Sequence, residues 1–201
     1  MDAFAWLRII AGLLALLLYA PLIRHVLRHA GVGQSFAMWA LWAVLDTTLT
    51  ISILVQHGNF LLPAGFAAGS ITLALMLLVK GRFSWSRMET AISALVAACL
   101  AVWKFSGPKT ATVAATLAIV IAGWPALVEL WRHPQRALAH IWMGYTVANA
   151  LAFLGGENWS IEERFAPGVF TLQTLALALI GYCRPSASRA ARSPTDISGT
   201  V

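Results

Sequence analysis

Seven apolar runs, each long enough to cross a bilayer, decide what this chain can fold into. They lie at about residues 3–27, 34–55, 60–79, 88–105, 110–131, 137–155 and 164–183. A helix needs roughly 20 apolar residues to span the hydrocarbon core, and only a helix satisfies its own backbone there within one segment. The connecting stretches are short, so the runs predict an all-α polytopic membrane protein with seven transmembrane helices in one bundle. Composition agrees: 59% of the 201 residues are hydrophobic and 11% are charged, against roughly 45–50% and 25% in soluble domains. The first run lacks the strongly basic start of a signal peptide, and its match to the fifth run predicts that it is retained.

Lys and Arg set the orientation. Arg24, Arg28, Lys80, Arg82, Arg87, Arg132, Arg136, Arg184, Arg189 and Arg192 fall on one side, and only Arg8, Lys104, Lys109 and Arg164 on the other. The positive-inside rule then puts the C-terminus in the cytoplasm and the N-terminus outside a plasma (inner) membrane. Glu157, Glu162 and Glu163 fall in the last external loop. The net charge of +6 is spread over short clusters at span ends, where anionic lipids attract it. No extended basic tract points to a nucleic-acid partner. Residues 184–201, rich in Arg, Ser, Pro and Thr, read as a disordered cytoplasmic tail. Trp6, Trp85, Trp103, Trp131 and Trp159 lie near span ends, as an interfacial aromatic belt does. Cys99 and Cys183 have no CxxC spacing and read as small membrane-buried residues. No metal or cofactor is expected.

Shifting the chain by 104 residues uncovers an internal echo. Pro21 and Pro125 are each followed, after six intervening residues, by Arg-His (Arg28-His29 and Arg132-His133). With one residue dropped from the next loop, Trp39 pairs with Trp142, Trp42 with Tyr145 and Asp46 with Asn149. Back at 104, Pro63 pairs with Pro167, Phe66 with Phe170 and Ser70 with Thr174. Two parallel triple-helix repeats follow, at 1–80 and 106–183, with 81–105 as a linker carrying helix four. The halves of this 3+1+3 arrangement are expected to face each other about an axis along the membrane normal and to enclose a midplane cavity.

Asp46 is the only carboxylate deep inside any of these runs. A charge at that depth costs at least about 2.5 kcal/mol, so intramembrane acids usually face a partner or a solute path. Trp39, Trp42 and Asp46 are spaced i, i+3, i+7 and share a helix face, and Trp142, Tyr145 and Asn149 repeat it in the sixth span. Those six, with Phe66, Ser70, Phe170, Gln173 and Thr174, are the expected substrate-binding lining. Asp46 is also the expected proton-coupling residue, and Pro21 and Pro125 are expected hinges. The competing structural readings are an Asp46 satisfied by Thr47, Thr48, Thr50 or a neighbouring helix, an Asn149 acting as interhelical glue, and aromatic stripes that only pack. Near the cytoplasmic surface Glu129 is expected to pair with Arg132 and His133, and His140 to snorkel.

A proline late in the first span, a basic end, and a second span with an aromatic-x3-Asp step resemble the PQ-loop group, which includes the SWEET (MtN3-type) sugar carriers. The likeness covers about residues 10–183 and is nearest the amino-acid-type PQ-loop carriers, which often pair an acid and an Asn where Asp46 and Asn149 stand. The motif's glutamine is absent, since Leu22 follows Pro21 and Ala126 follows Pro125. Ala68 and Leu172 stand about where SWEETs carry an asparagine. The resemblance implies a small-solute carrier working by alternating access. A 3+1+3 chain already holds both halves, so a monomer can work, and a homo-oligomer is equally compatible. Enzyme chemistry is not expected: there is no HExxH, no GxSxG and no second intramembrane acid. A non-transporting receptor or accessory membrane subunit with the same bundle is the alternative.

Overall fold

The computed structural model describes residues 3–29, 36–81, 83, 85, 87–132 and 136–183. The tail expected at 184–201 and the side chains of Arg28, His29, Glu129 and His133 lie outside what is described. Every regular element among the described residues is helical: α1 (Ala3–Leu17), α2 (Ala20–His29), α3 (Phe36–Leu54), α4 (Leu61–Val79), α5 (Arg87–Ala122), α6 (Trp124–Arg132), α7 (Arg136–Leu154), a π-helical turn (Ile161–Phe165) and α8 (Ala166–Cys183).

Five helical stretches are long and apolar enough to cross a membrane: Ala3–Arg24, Phe36–Leu54, Leu61–Val79, Glu89–Ala122 and Ile161–Cys183. Their outer faces carry large bare side chains, and Leu17, Leu75, Ile121 and Leu172 are each more than half exposed. Soluble monomers rarely leave contiguous apolar surface of that kind open. The exterior is that of a membrane protein.

Three breaks shape the helices. α5 bends at Gly107, whose φ of 81° and ψ of 175° are not helical. An L side chain is strained at that angle, so glycine before Pro108 turns the chain at little cost. The other two breaks come just before Pro21 and Pro125, the prolines paired by the repeat. α1 ends at Leu17 and α2 restarts at Ala20; α5 ends at Ala122 and α6 restarts at Trp124. The sequence suggested prolines kinking continuous helices. Instead Pro21 and Pro125 each occupy the second residue of a new helix, where a missing N–H leaves nothing unsatisfied. Equivalent bonds bridge both breaks: Ile23 N–H to the Tyr19 carbonyl at 2.9 Å, and Leu127 N–H to the Gly123 carbonyl at 3.4 Å.

In the first part of the chain α4 packs against both α1 and α3; in the last part α8 packs against α7, α5 and α6. α1 also packs on α7, and α3 on α5. Lipid gives no hydrophobic drive between helices, so close approach of small residues matters most. One buried cluster joins Ala11 and Ala15 of α1 to Leu62 of α4 and to Ala148 and Ala152 of α7. A larger one joins Leu45 and Leu49 of α3 to Ala115 and Ile119 of α5 and Ala166 of α8. Shifted by 103 or 104 residues, every member of the small cluster falls on a member of the large one.

Candidate functional site

Asp46 lies in α3, a 19-residue helix, about 15 Å from its first residue at 1.5 Å per residue. Only 3% of its surface is exposed. The Ser70 hydroxyl, on α4, donates to Asp46 Oδ2 at 3.0 Å and also lies 2.9 Å from the Phe66 carbonyl. A hydroxyl has one hydrogen and two lone pairs, so it cannot donate to both at once. An ionised Asp46 takes the serine's hydrogen; a protonated Asp46 donates to Ser70 Oγ, which then donates to Phe66. The pair is therefore hydrogen-bonded in either protonation state. The nearby threonines do not compete: Thr48 and Thr50 donate to the Val44 and Asp46 backbone carbonyls, each at 2.7 Å.

An aromatic cluster lies on the same helices as this pair: Phe66 stands one turn before Ser70 on α4, and Trp39 two turns before Asp46 on α3. Tyr19, at the break between α1 and α2, packs edge-on to Trp39 at 6.0 Å and to Tyr145 at 6.1 Å between ring centres. Tyr145 in turn meets Phe66 at 5.7 Å and Trp142 at 5.9 Å, and Phe66 meets Phe170 at 6.3 Å. The cluster is built from α3, α4, α7, α8 and the α1–α2 break, and it draws residues from both ends of the chain.

The structure brings Trp39, Asp46, Ser70, Trp142 and Tyr145 into this group. Trp42 instead packs on the cluster that ties α3 to α5 and α8. Asn149 is fully buried, donates to the Tyr145 carbonyl at 2.7 Å, and leaves its Oδ1 without a partner. Gln173 donates to the Val120 carbonyl at 3.3 Å, tying α8 to α5. Thr174 receives the Thr146 hydroxyl at 3.1 Å and itself donates to the Phe170 carbonyl at 2.7 Å. His140, expected to snorkel, shares a 2.7 Å bond with the Tyr182 hydroxyl. Rings in mutual contact occupy the place where the sequence suggested an open cavity. A groove of about 300 Å³ opens elsewhere, on the outward side of α3, lined by Ala43, Val44, Thr47, Thr48, Ile51, Ile71 and Trp103. Among the described residues no three His, Cys, Asp or Glu side chains gather as a metal site.

Two features escape spacing arguments. Tyr19 fits only because position 69 is glycine: a Cβ there would overlap its ring. Across the molecule a Cβ at Gly123 would overlap the Gln173 side-chain nitrogen. Positions 19 and 123, and 69 and 173, are each 104 apart, so large and small have traded places. The second feature lies where α1 begins. Arg8 donates to the Gly155 carbonyl at 2.7 Å and to Glu163 Oε2 at 2.8 Å, and stands 3.1 Å from Glu157. Glu163 is buried on the π-helical turn. At the same end Gln56 donates to Thr112 at 2.9 Å, Asn59 to the Ala152 carbonyl at 2.8 Å, and Lys109 stands 3.9 Å from Glu162.

Comparison of the chain with family models, curated proteins and solved structures found no match. The site is therefore read from its own chemistry.

Proposed function

We propose that the protein is a membrane carrier for a small polar solute, moved by alternating access past Asp46. The observation that carries this reading is a buried carboxyl halfway along a membrane-length helix, hydrogen-bonded to Ser70 of a helix whose Phe66 joins an aromatic cluster drawn from both ends of the chain. In this reading α5 crosses twice, about Gly107, and α7 crosses once, which makes seven spans. α1–α4 and the second part of α5 through α8 are then two triple-helix repeats, joined by residues 81–105. Several facts support it. Under a 103–104 residue shift the smaller apolar cluster falls within the larger one. The third helix of each half packs between the other two. Phe66 and Phe170, equivalent under the shift, touch each other, as residues on a two-fold axis do.

The breaks before Pro21 and Pro125 serve as paired hinges, and Asp46 carries the coupled proton. With the N-terminus outside, the Arg8–Glu163 group lies at the external end. Its bonds tie the first half to the second, so this is a state closed to the outside. At the other end the described polar contacts stay within one half: Lys80 to the Leu27 carbonyl at 3.1 Å, and Tyr182 with His140.

One observation favours the alternative, a receptor or accessory subunit: rings fill the space beside Asp46. Uptake into proteoliposomes separates the two. The carrier reading expects solute accumulation driven by a pH gradient in wild type and its loss in Asp46→Asn with the fold intact. Undiminished pH-driven uptake by Asp46→Asn refutes the assigned role of Asp46, and absence of flux for any small solute refutes the carrier.

A further inference from the structure

We propose that the central site takes a small organic cation, bound through an ammonium group by Asp46 and the faces of Tyr19, Trp39 and Tyr145. This deepens the carrier reading by naming the solute's chemistry, and rests on the same central site, though binding can be tested without flux.

Three observations on the page lead there. The first is charge. Among the described residues the buried polar set includes Asp46, Glu89 and Glu163, but no lysine, arginine or histidine. Arg8 is committed to Glu157 and Glu163 at one end, and Lys80 and His140 are exposed on the helices at the other. An anionic group arriving beside Asp46 meets a like charge and, among the described residues, no buried basic side chain, whereas a cation meets a counter-ion. Uncompensated charge at this depth is costly, so the sign of the solute is selected strongly.

The second is the lining. Ring faces attract a cation held within about 6 Å of their centres, and an alkylammonium is both charged and apolar enough to sit among them. A sodium or calcium ion is a poor fit, because hard ions want about six oxygen ligands. Here the carboxylate has one hydroxyl partner, Ser70, and no three metal-ligating side chains gather among the described residues.

The third is access. Tyr19 stands in the gap between α1 and α2, with a hydrogen bond from Ile23 spanning it. Rotation of α2 about that gap carries the Tyr19 ring away from Tyr145 and Trp39. The space this frees is bounded by Asp46, so the solute is small.

The test is equilibrium binding to the full-length protein in detergent, read by thermal stability and by tryptophan fluorescence. The probes are methylammonium and choline, beside their uncharged counterparts methanol and 3,3-dimethylbutan-1-ol, with acetate as the anion. The expected result is saturable stabilisation by at least one ammonium and none by the uncharged partners or acetate. Asp46→Asn is expected to weaken that binding at least tenfold. Should Asp46→Asn fail to fold, Tyr145→Phe and Tyr145→Leu replace it: the first keeps the ring and the affinity, and the second loses affinity. The proposal is overturned if neither ammonium binds, if the uncharged partner binds equally well, or if Asp46→Asn or Tyr145→Leu binds as wild type does. Ammonium binding without flux in vesicles leaves this inference standing and sinks the carrier. Flux of an uncharged solute without ammonium binding does the reverse.

Discussion

Replacing Arg8 with alanine isolates a shielded ion pair that joins the two ends of the chain. The Arg8 side chain is 15% exposed and that of Glu163 only 5%, so the 2.8 Å bond between them is largely shielded from water. Removing one partner of a buried ion pair costs about 3–5 kcal/mol, because the other charge is left behind. Glu163 retains one donor, the Glu157 amide at 3.2 Å, which argues for the lower end. Arg8→Ala is therefore expected to lose about 3 kcal/mol, more than a hundredfold in the folding equilibrium. Glu157 is 65% exposed, and an exposed pair contributes at most about 1 kcal/mol, so Glu157→Gln should fall well short of that loss. The double variant Arg8→Met with Glu163→Leu buries no lone charge and should recover at least half of it. Reversible unfolding in mixed micelles, followed by tryptophan fluorescence, measures all of these. An Arg8→Ala protein within about 0.5 kcal/mol of wild type, or a double variant weaker than Arg8→Ala, would refute the reasoning.

Gly69→Ala and Gly123→Ala should differ although each brings a Cβ into overlap. The first meets a ring wedged at a helix break and should cost about 1–3 kcal/mol, while the second meets the movable tip of Gln173 and should cost less; thermal unfolding of the pair decides. Ser70→Ala removes the hydroxyl bonded to Asp46 and should destabilise by about 1 kcal/mol if Asp46 is neutral, and by about 1.5–3 if it is ionised, so unfolding at two pH values tests which form is present. Asn149→Leu discards a buried oxygen that has no partner and should be nearly neutral for stability; if its uptake in vesicles is also unchanged, Asn149 has no part in the site.

Much of the centre was legible in advance because a lone acid in an apolar run is conspicuous. Asp46 and Ser70 were both named, and they bond. Tyr19 was not, although it touches two of the named aromatics. It lies outside the i, i+3, i+7 faces that were compared, and its counterpart under the repeat is Gly123, a pairing that reads as a mismatch. Only the packing turns that mismatch into a reciprocal exchange with Gly69 and Gln173. The Arg8–Glu163 bond joins residues 155 apart, and no local pattern announces it; Arg8 counted simply as a charge at a span end. Trp42 shares a face with Asp46 by spacing, yet it packs on the α3–α5 cluster, because α5 covers more of α3 than the three-helix picture allowed. Residues 137–155 were read as a span because they form an apolar run of sufficient length. With His140, Thr146 and Asn149 along it, α7 is not among the stretches apolar enough to qualify alone.

The account stands or falls on whether the space beside Asp46 opens to both sides of the membrane. The direct measurement is thiol labelling of Ser70→Cys in sealed vesicles, with Cys99 and Cys183 replaced and a membrane-impermeant reagent applied from each face in turn. Labelling from either face, slowed by bound solute, is the expected result. A cysteine at position 70 that stays unreactive from both faces, in folded protein and with or without solute, would contradict it.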